Sequence, residues 1–90
     1  MKIIQKCDWC DSLHIWPDLR FFRWKDTNHP KTYFSIRCNY HFSWEKDSIW
    51  ARVHAPDGTR FYVGKQDCIC SEITMEEYND LLNMSHVITA

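Results

Sequence analysis

From Trp50 to Val63 the chain alternates apolar and polar positions on either side of a short break. The break, Ala55-Pro56-Asp57-Gly58, reads as a type I turn. Proline fixes φ at its second position, and glycine is free to go left-handed at its fourth. The glycine then forms a bulge, and Thr59 opens the return strand. With Ala55 facing Thr59, the register follows: His54 with Arg60, Val53 with Phe61, Arg52 with Tyr62, Ala51 with Val63. Side chains alternate across a strand, so Ala51, Val53, Phe61 and Val63 share a core face. Trp50, Arg52, His54, Arg60 and Tyr62 share the other, cationic and aromatic.

Upstream, residues 2–6 and 12–16 read as two short strands around the tight turn Cys7-Asp8-Trp9-Cys10. Trp16-Pro17-Asp18 is a break. The β-prone aromatics of residues 19–24 predict an extended segment. Asp26-Thr27-Asn28-His29-Pro30 is a loop by its turn chemistry. Residues 32–37 are a strand again, with Thr32, Phe34 and Ile36 on one face. Cys38-Asn39-Tyr40-His41 reads as a second tight turn that Phe42–Trp44 leaves, and a polar link leads into the central hairpin.

The C-terminal segment carries the helix signal. Thr74 is an N-cap with Glu77 completing a capping box, and Ile73 and Tyr78 occupy the positions of a hydrophobic staple. Met75, Tyr78, Leu81 and Leu82 recur at helical spacing, so the spacing predicts a helix over 74–84. The fold class is α+β: one domain over 1–90, with knuckle hairpins in 1–47, a central hairpin in 48–65, and one C-terminal helix on the core face of a small antiparallel sheet.

Composition narrows the class. At 90 residues the chain buries only about two-thirds of its unfolded surface, so a cross-link would help a thin core. All 11 Lys and Arg lie in residues 1–66, whereas residues 67–90 carry five acids and no base, for a net charge of −1. That balance lacks the basic excess of a protein that grips duplex DNA through phosphates. The N-terminus has no apolar run of signal-peptide length, and no stretch approaches a membrane span. The expectation is a cytoplasmic, reducing location without a membrane role. There, five cysteines read as thiols or metal ligands rather than a disulfide framework.

Two half-sites then stand out, Cys7-x-x-Cys10 and Cys38-x-x-His41. Together they supply the four ligands of a closed tetrahedral structural Zn²⁺ site. The arrangement is similar to a zinc ribbon in outline, although neither knuckle carries the glycine that usually eases the turn. Cys68-Ile69-Cys70 competes as the second half-site, and buried cysteines acting as small hydrophobes are the plain alternative. His14, His29 and His86 stand isolated.

The chain holds no Ser-His-Asp order, paired carboxylate motif, phosphate-cradling glycine loop or H-E-x-x-H, which argues against an enzyme. The expectation is a small intracellular regulator or inhibitor that binds a protein partner through Trp50, Arg52, His54, Arg60 and Tyr62, since Trp, Tyr and Arg are the enriched interface anchors. The same face, extended by Arg20, Arg23, Trp24, Lys25 and Arg37, suits single-stranded nucleic acid as the alternative.

Overall fold

The central hairpin has the register its turn chemistry dictates. In the computed structural model, which describes residues 4–10, 12–15 and 18–89 (and not the side chains of Ile4 and 84–89), β5 (Trp50–His54) pairs β6 (Arg60–Gly64) with Val53 opposite Phe61 and Arg52 opposite Tyr62. The Gly58 N–H donates to Ala55 O at 2.9 Å, the Ala55 N–H to Thr59 O at 2.8 Å, and Gly58 has φ +93°. The expected break at Trp16-Pro17 and the side chain of His86 lie outside the described residues.

Two further elements precede the hairpin in a larger sheet, β3 (Leu19–Asp26) and β4 (Thr32–Cys38), and β7 (Cys68–Ile73) follows it. The sheet is antiparallel throughout, in the order β6-β5-β4-β3-β7. A separate two-stranded sheet joins β1 (Ile4–Lys6) to β2 (Leu13–Ile15) around the Cys7–Cys10 turn. Only a 3-10 turn, Lys65–Asp67, connects the edge strand β6 to the opposite edge strand β7. Four peptide links reach about 14 Å even when extended. A flat five-stranded sheet would separate its edges by about 19 Å. The sheet therefore curls into a trough, and Val63 of β6 and Cys68 of β7 pack into one cluster inside it.

Both faces of this sheet are buried, because β3 is apolar in both phases. Leu19 and Phe21 join Phe34, Ile36, Ile73 and Tyr78 on the outer face, under the helix α2 (Met75–Thr89). Phe22 and Trp24 join Ala51 and Val53 inside the trough. The helix thus packs on the side opposite the Ala51/Val53 face, which corrects the expectation that it lies on that face. What covers Ala51 and Val53 is the curl itself, together with a second helix.

That second helix, α1 (Asn39–Glu45), replaces the expected tight turn and outgoing segment. Cys38 caps it in extended conformation, its Sγ accepting from the His41 N–H at 3.5 Å. Phe42 anchors it by stacking on Phe22, with ring centroids 5.5 Å apart. The helix α2 begins with the expected capping box: Glu77 N–H donates to Thr74 Oγ1 at 3.0 Å, and Thr74 N–H to Glu77 Oε1 at 3.1 Å. It runs past the expected end at Met84 to Thr89, since no glycine or proline intervenes to stop it. No helix among the described residues is long and apolar enough to cross a membrane.

Candidate metal centre and the aromatic face around it

The two half-sites converge. The β1–β2 turn presents Cys7 and Cys10, the last residue of β4 presents Cys38, and the first turn of α1 presents His41. One ligand atom from each lies within 4.8 Å of all the others, a group that can hold a metal ion. Cys10 Sγ is 3.0 Å from His41 Nδ1 and 3.7 Å from Cys38 Sγ, and Cys38 Sγ is 3.2 Å from His41 Nδ1. Ligands about 2.3 Å from a tetrahedral centre stand about 3.8 Å apart, so the sulfur spacing suits such a centre. The Trp9 N–H donates to Cys7 Sγ at 3.4 Å, as the His41 N–H does to Cys38 Sγ, so each knuckle directs an amide at a sulfur.

Burial within the cluster makes one of its thiols, Cys10, difficult to ionise. Cys7 and Cys38 are buried and Cys10 half-buried. Burial, then the neighbouring Cys38 and Cys7 sulfurs, push the Cys10 thiol up to about 12. A cation at the centre reverses that ordering, because a coordinating thiol is deprotonated outright.

The competing half-site is elsewhere. Cys68 and Cys70 belong to β7 rather than to a linker before the helix, and they pair across from Asp26 and Trp24 of β3. Cys38 pairs across from Leu19, at the other end of β3. Seven steps along the strand, about 23 Å, separate Leu19 from Asp26.

Between the two metal knuckles and the sheet lies a buried ionic group that sequence patterning did not reveal. Asp8, Arg37 and Glu45 are all nearly inaccessible. Arg37 uses all five of its N–H donors. They reach Glu45 Oε1 (3.0 Å) and Oε2 (2.9 Å), Asp8 Oδ2 and Ile36 O (both 3.1 Å), and Arg52 O. Asp8 also accepts from His54 Nδ1 at 3.1 Å, and His54 Nε2 meets the Tyr78 hydroxyl at 2.9 Å. Burial, then the Asp8 charge, raises the Tyr78 phenol to about 12.

This arrangement redistributes the expected binding face. Trp50 and Tyr62 are exposed, Arg60 is exposed, and Arg52 is half-buried. His54 is buried against Asp8 and Tyr78 and is not part of an open surface. Arg37 is likewise internal, Trp24 lies inside the trough, and Arg20 pairs with Glu72 at 2.6 Å while stacking 3.8 Å over Phe42. Those three do not extend the face.

In their place stand rings carried by the metal knuckles. Trp9, between Cys7 and Cys10, meets Trp44 edge-on at 5.1 Å and Tyr62 at 5.8 Å. Trp44 sits 6.1 Å from the His41 ring, which Tyr40 flanks at 5.1 Å. The Arg52 guanidinium lies 5.3 Å from Trp9 and 5.9 Å from Tyr62. Trp9 Nε1 donates to Glu45, fixing its orientation. Trp9, Tyr40 and Trp44 were absent from the sequence expectation, although each lies within three residues of a metal ligand, and that adjacency was the available signal.

Compared with protein-family models, curated proteins and solved structures, the chain matches none, so its function rests on this geometry.

Proposed function

We propose that this chain is a small, non-enzymatic regulator or inhibitor that binds a protein partner, stapled by a structural zinc ion on Cys7, Cys10, Cys38 and His41. The observation that carries the reading is the continuous run of rings Tyr40–His41–Trp44–Trp9–Tyr62, rooted in both half-sites and rimmed by Arg52. Tyr40, Trp44 and Tyr62 are each more than half exposed, with Ile49 and Trp50 exposed as well. Such a concentration of exposed aromatics is the composition of an interface core. Three soft sulfurs and one imidazole in a tetrahedral group favour zinc, and four protein ligands leave it no open position for chemistry.

The fate of the basic residues supports a protein partner over single-stranded nucleic acid. Arg20 and Arg37 are committed to carboxylates, and Lys65 Nζ is bound to Glu45 O at 2.7 Å and Lys46 O at 3.3 Å. Arg52 remains beside the rings, and Arg60 Nε lies 3.7 Å from the Asp8 carboxylate, which leaves too few cations for a phosphate-tracking groove. The partner this face fits presents an apolar group to Trp9 and Trp44 and a carboxylate to Arg52.

The test compares wild type with Trp44→Ala and Tyr62→Ala in capture from lysate, alongside retention on single-stranded oligonucleotides over a salt series. A protein held by wild type should bind either variant about thirtyfold more weakly or worse. Steeply salt-dependent oligonucleotide binding, its slope reduced by neutralising Arg52 or Arg60, would contradict this reading.

A further inference from the structure

The trough formed by the curled sheet is not completely filled. At its α1 end lies a cavity of about 250 Å³. Phe22, Trp24 and Phe42 form its walls, and the buried Ser35, Arg37 and Glu45 its floor. Exposed Lys46, half-buried Lys65 and exposed Cys70 form its rim. A dry cavity of about 150 Å³ holds a benzene ring, so this one has room for two fused rings.

The polar groups around the cavity differ in what they have left to offer. On the floor, the five Arg37 donors are all committed, and Glu45 accepts from Arg37, Trp9 and the Arg52 N–H. Ser35 Oγ accepts from Trp24 Nε1 at 2.9 Å. That charge pair is internally neutralised and presents no net charge to a guest. On the rim, Lys65 uses two of its three ammonium protons on the Glu45 and Lys46 carbonyls, which leaves one. Among the described residues, none forms an ion pair or hydrogen bond with the exposed Lys46 ammonium. The walls are therefore apolar and flat, while the mouth carries two cations and no anion.

We infer that this cavity is a binding site for a small carboxylate with a planar apolar body, separate from the aromatic face around the metal centre. The rings of the guest lie against Phe22, Trp24 and Phe42, and its carboxylate stays at the mouth, where Lys46 and Lys65 meet it without being desolvated. An uncharged guest of the same shape keeps the ring contacts and loses the ion pair.

The experiment titrates the zinc-loaded full chain with 2-naphthoate and with neutral 2-naphthamide, read in ¹H–¹⁵N correlation spectra. The acid should shift the Trp24 indole N–H and the backbone amides of Phe42, Lys46 and Cys70 saturably, and the amide should bind more weakly. Lys46→Gln should weaken the acid about two- to fivefold, the size of an exposed ion pair, and leave the amide unchanged. Cys70→Phe should fill the mouth and abolish both; if that variant does not fold, the Lys46→Gln comparison decides alone. The inference is overturned by folded protein that shows no saturable shifts with the acid, by shifts confined to Trp9, Trp44 and Tyr62, or by equal binding of acid and amide that Lys46→Gln does not change. Only the second of these outcomes involves the aromatic face, whose binding of a protein partner is tested separately.

Discussion

Asp8 completes the hydrogen bonding of Ile36 in both directions. Its backbone N–H donates to Ile36 O at 2.8 Å, and its carboxylate accepts the Ile36 N–H at 2.9 Å. The need arises because β4 and β5 pair only at Phe34 and His54 and then separate, leaving β4 without a neighbour along that edge. The residue between the two candidate ligand cysteines is therefore a wedge in the sheet, held there by Arg37 and His54.

Asp8→Ala should be severe. It leaves an Arg37 N–H and His54 Nδ1 without their buried acceptor and uncaps Ile36, at a cost of about 3 kcal/mol or more. Asp18→Ala, which removes an exposed carboxylate paired to His14, should cost no more than about 1 kcal/mol. Denaturant unfolding of the two variants under zinc saturation measures the difference, and equal midpoints would contradict the wedge.

At Gly58 the cost of substitution is confined to the backbone. A Cβ built there meets nothing within 4 Å, yet φ is +93°. Gly58→Val should cost roughly 1–2 kcal/mol or more, since a β-branched residue resists the left-handed region, and Gly58→Asn should cost less. Unfolding midpoints that do not separate Val from Asn would count against the turn.

Alkaline stability should depend on Tyr78. Its phenol is raised from 10.0 to about 12 in the folded protein, so the folded state holds this proton more tightly than the unfolded chain. The associated stability is fully present below pH 10.0 and is lost as pH rises toward about 12. Two units correspond to roughly 2–3 kcal/mol. Unfolding free energies at the two ends of this window should fall more steeply for wild type than for Tyr78→Phe; parallel slopes would contradict it.

Local chemistry was the readable part of this chain. The Ala55–Thr59 turn carries its register in five residues, Thr74 and Glu77 carry the helix start, and two x-x spacings carry the candidate metal group. What could not be read depends on partners far away in sequence. β7 pairs with β3, and its Cys68-Ile69-Cys70 start shows no strong alternation. α1 is built from Asn, Tyr, His, Phe, Ser and Trp, residues of modest helix propensity, and forms where Phe42 finds Phe22 and Glu45 finds Arg37. Arg37 and Glu45 read as solvent-facing charges because nothing local marks a buried pair. The two apolar phases of Leu19–Trp24 did announce a sheet covered on both sides, and placing the helix on the Ala51/Val53 face made no use of them.

The proposed zinc staple is the central claim, because it would join the knuckle that carries Trp9 and Asp8 to the strand and helix that carry Arg37 and Trp44. Native mass spectrometry of protein made in zinc-supplemented medium tests it most directly. The account predicts one zinc ion per chain, lost on chelation and in Cys38→Ser, with a fall in stability in both cases because metal binding is coupled to folding. Recovery of fully folded protein at its metal-free mass would contradict it.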